Sequence, residues 1–544
     1  MNKRVGRALS LVLILSGPSW AVQGKNDIPQ AISGTARLHL PSMINLSPDA
    51  AGAANWHPLA AARWNSIIPP HPLSIAGKAH SAPEKASAPP KAVKYLWDST
   101  INRNATEADW TDAFDGRDLR NLAAPAVAGP SAAPDPAPFF SDGLSRVALF
   151  NSPMEALKAR ATMIPRARRS VDVGYFAFFP DAVGLPTLAL LREAARRDVK
   201  TRLMIDSWGN AVSKAMFKHL MEEGVEIGIY HPFRLSRPLS WLWRRAHDKF
   251  TIVDGVRMIA GNCNMHIHYF SMGPEPQINR EAFVEGPSAA KAQEYAETLW
   301  NSGRLEAPQG LERVSDFDVA KARRRLDRTA KNYDRRETMI ADPRRPWEER
   351  AREIPARFSK NALDTNVGAG EDLLQMIRSA TKSIVIENGY IVLPNVFRRE
   401  LEKAVRRGVR VVVLTNSYHN INLFSVRQAY EADVTTLVKM GLELYEFTGA
   451  LLHMKNMTVD GEQTYVGAFN LDPRSLNLNT EPGIIVNDPG FANDLLARIE
   501  RLRRHSILVG DKGKWVTPRQ RYFIVSPLTT LLRRLALLPL RWLI

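Results

Sequence analysis

The stretches HDKFTIVDG (247–255) and HMKNMTVDG (453–461) share one skeleton: His, one residue, Lys, four residues, Asp, Gly. In the first copy Phe250 and Ile252 alternate with polar positions, which predicts a strand carrying His247 and Lys249 on one face. The register runs on beyond the motif. His247 and His453, Lys249 and Lys455, Asp254 and Asp460, Gly261 and Gly467, Asn264 and Asn470 are all separated by the same number of residues. Five matched positions at one offset point to duplication rather than chance.

The flanking sequence repeats as well. SVDVGYFAF (170–178), LPTLALLREAARRD (185–198) and VKTRLMID (199–206) read as strand, helix and strand, and so do SIVIENGYIV (383–392), VFRRELEKAVRRG (396–408) and VRVVVLTN (409–416). The expected fold class is therefore α/β, with two duplicated domains that are each a mixed β-sheet flanked by helices. Their boundaries are expected at 141–345 and 346–525, and one shared active site is expected at the pseudo-twofold interface.

An imidazole beside a fixed ammonium suits a phosphate group. Lys supplies charge to the nonbridging oxygens, while His attacks phosphorus or moves a proton near neutral pH. One His cannot do both in a single step. Two copies brought together can, with one attacking and the other donating a proton to the departing oxygen. On this reading neither half is a complete site.

H-x-K-x4-D followed by six residues and G-x-x-N resembles the phospholipase D superfamily. The copy HMKNMTVDGEQTYVGAFNLDPRSLNLNTE (453–481), with RRGVRVVVLTNS (406–417) upstream and LLPLRWLI (537–544) at the end, looks like bacterial cardiolipin synthases and related phospholipase D-like proteins. The resemblance covers residues 145–544. It implies two phospholipase D-type domains and a phosphodiesterase or phosphatidyltransferase working through a covalent phosphohistidine, by hydrolysis or transfer, with no metal and no cofactor. Carried over by motif position, His247 and His453 are the nucleophile and the general acid/base, with the order open and His247 slightly favoured for attack. Lys249 and Lys455 bind phosphate, and Asn264 and Asn470 contact its oxygens. Asp254 and Asp460 complete the catalytic motif, and organising the local fold is their expected part in it. Glu481 in NTEPGIIV and Glu281 in NREAFVEGP are expected to orient the imidazoles. Asn262 replaces the small residue usual after Gly261, and MHIHYF (265–270) introduces His266 and His268, read as loop histidines for want of a third metal ligand. Cys263 reads as a small buried residue.

Composition bounds the rest. The chain has 544 residues, is 45% hydrophobic, and carries a formal net charge of +17, which attracts phosphate-bearing partners without choosing among them. Its single cysteine excludes an internal disulfide framework and a multi-cysteine metal cluster. Residues 1–21 have the layout of a signal peptide, so the protein is expected to be exported, periplasmic or secreted, with peripheral membrane association. Residues 22–140 form a Pro/Ala-rich low-complexity leader. HPFRLSRPLSWLWRR (231–245) and the amphipathic tail 526–544 both mix apolar residues with arginine; the tail is expected to meet an anionic membrane surface, and the first segment suits either that surface or packing on the partner half. The expected partner is a phospholipid substrate. A nuclease acting on DNA or RNA is the alternative, and a monomer can in principle hold the whole site.

Overall fold

The computed structural model describes residues 139–232, 244–273, 275–333, 341–361, 368–418 and 420–510. The expected signal peptide, nearly all of the leader, most of the Trp–Arg segment and the C-terminal tail lie outside the described residues.

The first half supplies β1 (Gly143–Leu149), β2 (Ser170–Phe178), β3 (Lys200–Asn210), β4 (Val225–Tyr230), β5 (Lys249–Val253), β6 (Arg257–Gly261), β7 (Gln277–Ile278), β8 (Glu281–Glu285) and β9 (Leu305–Glu306). The second half supplies β10 (Arg352–Ser359), β11 (Ser383–Asn388), β12 (Arg410–Asn416), β13 (Glu443–Phe447), β14 (Leu451–Leu452), β15 (Lys455–Val459), β16 (Gln463–Gly467), β17 (Gly483–Asn487) and β18 (Ser506–Leu508). Among the described residues, sixteen strands form one mixed sheet in the order β18-β13-β12-β11-β15-β16-β17-β10-β1-β8-β6-β5-β2-β3-β4-β9. Read outward from the antiparallel β10–β1 seam, both halves run through equivalent strands in the same order. The duplication read from the motifs is thus a duplication of topology.

The inner strands of each half pair in parallel, β2 with β3 and β11 with β12, and are apolar on both faces. Each half has its own core on one face. Val171, Leu188 and Leu203 belong to the first, and Ile384, Leu401 and Val411 to the second. The other face is shared: Phe250 and Val284 pack in one cluster with Val466 and Ile484, beneath Leu299 of helix Pro287–Trp300 and Leu495 of helix Pro489–Arg503. Full burial of one such side chain is worth about 1.5–3 kcal/mol. This shared cluster, with the β1–β10 pairing, holds the halves in register.

The Asp–Gly pair closing each motif is turn chemistry. Asp254 and Gly255 have φ of 56° and 69°, Asp460 and Gly461 have 55° and 72°, and the hairpins close through Val256 N–H to Val253 O and Glu462 N–H to Val459 O. Left-handed backbone at both central positions makes a type I′ turn, which favours Asp–Gly. It sends β5 directly into β6, and β15 into β16.

Candidate active site

Each histidine enters its strand alongside the other half. Ala246 pairs in parallel with Thr480, whose N–H donates to Arg245 O at 3.1 Å. On the other side β7 pairs in parallel with β14, and His453 N–H donates to Ile278 O at 3.0 Å. The segments that accompany these entries carry the ring partners. His247 Nδ1 lies 2.8 Å from Glu481 Oε2, and His453 Nδ1 lies 3.0 Å from Asn279 Oδ1. Each half therefore orients the imidazole of the other.

Two buried carboxylates besides the matched motif positions fix the His247 entry. Asp206, within β3, accepts from the N–H groups of Ala246 and Trp208, both at 2.8 Å, and from the Arg245 guanidinium at 3.1 Å. Asp248 projects opposite to His247 and Lys249, as strand alternation requires. It accepts from the Tyr295 hydroxyl at 2.6 Å and from the Thr480 hydroxyl across the seam. Burial pushes both carboxyls up to about 6. Neither residue was among those expected from the sequence, because their partners are remote in the chain.

His247 and His453 are 8% and 7% exposed, enough for their edges to meet a ligand. Lys249 and Lys455 are fully enclosed and donate to the carbonyls of His247 and His453 at 2.8 and 2.6 Å. Burial lowers the Lys249 ammonium to about 7 against the opposing pull of Glu481 and Asp248. Burial, and then Lys249, holds Lys455 well below its ordinary value. Both imidazoles are held well below the usual histidine range, by burial first and then by the two lysines. That mutual influence of Lys249 on His453 and Lys455 on His247 joins both motifs in one electrostatic site. Glu481 accepts also from Ser475 Oγ at 2.6 Å and Asn479 Nδ2 at 3.2 Å, and burial pushes its carboxyl up to about 8, with Lys249 opposing. An anionic ligand would relieve the crowding of positive charge.

Aromatic rings close the site. Phe176 lies edge-on to His247 at 5.2 Å with Lys249 over its face, and Tyr269 stands edge-on to His453 at 4.9 Å. Tyr390 is 6.2 Å from His453, with Lys455 over its ring. Asn264 accepts from Ala177 N–H at 3.1 Å and hydrogen-bonds the Tyr269 hydroxyl, whereas Asn470 Oδ1 is buried without a protein partner among the described residues.

One expectation changes. Glu281 does not reach a histidine: it forms a two-point pair with Arg160 at 2.6 and 2.9 Å, both side chains fully buried. Strand register gives the reason. Gly261 is opposite Glu281 in β8 while Gly467 is opposite Gly483 in β17, so the counterpart of Glu481, two residues before its strand partner, is Asn279. Asp254 and Asp460 are likewise remote from the chemistry, since the strand leading from His247 to Asp254 spans roughly 20 Å. Asp254 Oδ1 accepts from the N–H groups of Arg169 and Ser170, and Asp460 Oδ1 from those of Lys382 and Ser383. Their work is to tie each hairpin tip to the start of β2 or β11.

The loop histidines His266 and His268 stack on each other at 4.5 Å, with Phe179 against His266. Among the described residues no three His, Cys, Asp or Glu side chains converge to hold a metal ion. Cys263 is fully buried, and burial holds its thiol well above the usual range, so it is no nucleophile.

Comparison with known proteins agrees with this architecture. A family model described as "Cardiolipin synthase, PLD-like domain" matches residues 161–302 and 373–503, once in each half. Cardiolipin synthase C of Escherichia coli strain K12 is 26% identical over 387 residues, 62% of this chain and 80% of that protein. Cardiolipin synthase B of the same strain is 27% identical over 336 residues, 61% of this chain and 74% of that protein. In fold, the chain is similar to the crystal structure of phosphatidylserine synthase from Haemophilus influenzae Rd KW20, with a TM-score of 0.54 at 14% identity, covering 78% of this chain and 98% of that one. With each half matched in turn, the chain belongs to the family of cardiolipin synthase-type, phospholipase D-like domains.

Proposed function

We propose that the site cleaves the phosphodiester of a phospholipid through a covalent phosphohistidine and passes the phosphatidyl group to water or to a lipid alcohol. One observation carries this reading. Two imidazoles from separate halves are each held through Nδ1 by an acceptor that the opposite half supplies, beside two buried lysines. In the first step one Nε2 bonds to phosphorus as the P–O bond to the leaving alcohol breaks, and the other imidazole protonates that oxygen. In the second step the now neutral imidazole takes the proton of the incoming hydroxyl, whose oxygen bonds phosphorus while the P–N bond breaks. Lys249, Lys455, Asn264 and Asn470 serve the phosphate oxygens.

The lipid substrate is supported by family membership, by the names of the two relatives and by the aromatic rings beside the imidazoles. Export and peripheral docking through residues 526–544 belong to the same reading. Among the described residues no helix is long and apolar enough to cross a membrane.

The test uses vesicles of phosphatidylglycerol, phosphatidylethanolamine and cardiolipin with chelator present, and products read by mass spectrometry. Phosphatidic acid would identify water as acceptor, and newly formed cardiolipin a lipid alcohol. His247→Ala and His453→Ala should each lower turnover by about 10³-fold or more. Intact lipid together with degraded DNA or RNA would overturn the lipid reading in favour of a nuclease.

A further inference from the structure

The helix Asp316–Tyr333 carries two stripes at helical spacing. Val319, Ala322 and Leu326 are buried, the last two in the core of the first half. Phe317, Lys321, Arg324, Arg328 and Lys331 recur at steps of three and four on the opposite side, and all of them are exposed. Phe317, at the head of this stripe, is 72% exposed, the most open large apolar side chain among the described residues.

Solvated helix faces elsewhere in the protein are built differently. Lys291 pairs with Glu294, Lys403 with Glu400 and Arg406 with Glu402, each three or four residues away on its own helix. Such pairs stabilise a helix, whereas like charges at the same spacing oppose it. The stripe sets Lys321 beside Arg324 and Arg324 beside Arg328, and no acid lies on it. Asp327 flanks it but is engaged by the buried Arg192 guanidinium at 2.7 Å. Asp316 and Asp318 stand in the first turn, where they complement the helix dipole. A complementary anionic surface would relieve the repulsion along the stripe.

The helix also reaches the rim of the active site. Arg325, beside the stripe, donates to Pro180 O at 2.9 Å. Pro180 follows β2, whose Phe176 lies against His247. The next residue, Asp181, accepts from Ile267 N–H at 2.9 Å, in the loop that brings Tyr269 to His453.

We infer that the exposed stripe of helix Asp316–Tyr333 docks the protein on an anionic bilayer, with its cations on lipid phosphates and Phe317 at the boundary of headgroups and acyl chains. Contact there holds the rim of the active site beside the lipid. The surface is separate from residues 231–245 and from the tail, and docking is read by binding alone, so the inference goes beyond the substrate reading above.

The test is sedimentation of the full chain with vesicles of phosphatidylglycerol and phosphatidylcholine. The variant Arg324→Gln/Arg328→Gln/Lys331→Gln is compared with Lys291→Gln/Lys403→Gln/Arg406→Gln, which removes the same charge elsewhere, and thermal melting checks that each is folded. A cation at an anionic surface is worth about five-fold in partitioning, so the first variant should bind about 100-fold more weakly than wild type and the second within a few-fold of it. Phe317→Ser should cost about ten-fold. Vesicles of phosphatidylcholine alone should not distinguish the first variant from wild type. No vesicle binding by wild type, no loss in the first variant, or an equal loss in both would overturn the inference. Weaker binding of duplex DNA by the first variant with vesicle binding unchanged would give the face to nucleic acid and overturn it as well. Turnover of short-chain phosphatidylglycerol dispersed as monomers should be equal in the first variant and wild type. Docking as expected with no phospholipid turned over by wild type would defeat the substrate reading alone, and turnover with docking unaltered in the variant would defeat the docking inference alone.

Discussion

His247 and Glu481 stand 234 positions apart in the chain and meet at 2.8 Å. The contact makes the imidazole of one half depend on the loop of the other. Glu481→Gln keeps the shape and an acceptor but cannot ionise, and should lower kcat by about 10–100-fold with little change in KM. Steady-state kinetics at saturating substrate checks this, and a change confined to KM would contradict it.

Stability should also report the buried histidines. His453 is held below the ordinary histidine value, so below pH 6.5 the unfolded chain binds more protons than the folded one. Its contribution is present above that pH and is lost as pH falls, at no more than about 1.4 kcal/mol per pH unit. Glu481 acts in the opposite sense: with its carboxyl pushed up to about 8, its contribution declines as pH rises from the usual carboxylate range through that value. Urea unfolding between pH 7.5 and 5.5 should therefore show a steeper loss for wild type than for His453→Gln. Equal slopes would mean that the ring is not held neutral.

Glu281 is predicted to act through the fold. Glu281→Gln breaks a buried pair and strands the Arg160 guanidinium, which also donates to the Tyr175 hydroxyl at 2.9 Å. A loss of about 3–5 kcal/mol is expected in denaturant titration. The pH profile of the remaining folded enzyme should match wild type, and a displaced limb would restore Glu281 to the site.

Much of this was legible because it repeats. The strand–helix–strand units and the five matched motif positions identify the duplicated α/β fold. Glu481 was legible from its motif. Its counterpart was not, because the first half reaches β8 from Asn264 by a longer path than the second half takes from Asn470 to β17, and Glu281 offered the expected letter two residues late. Only pairing register distinguishes Asn279 from Glu281. Asp206 and Asp248 carried no local signal either, since Ala246, Tyr295 and Thr480 approach them through the fold.

The hairpin tips give a prediction that separates structure from chemistry. Asp460→Ala leaves the N–H groups of Lys382 and Ser383, now bonded at 2.7 and 2.8 Å, without this acceptor. Unfolding free energy should fall by about 1–3 kcal/mol. Turnover per folded molecule, measured at a temperature where the variant is folded, should remain within a few-fold of wild type, on the order of ordinary surface effects. A loss on the scale of the histidine variants would instead make this carboxylate part of the reaction.

The central claim, two displacements through one covalent histidine adduct, is tested most directly by the stereochemical course at phosphorus. A phospholipid phosphorothioate of single configuration would be turned over with an alcohol acceptor and the product configuration determined by phosphorus NMR. Two successive in-line displacements invert twice, so the account predicts net retention. Net inversion would mean a single direct displacement and would contradict the phosphohistidine.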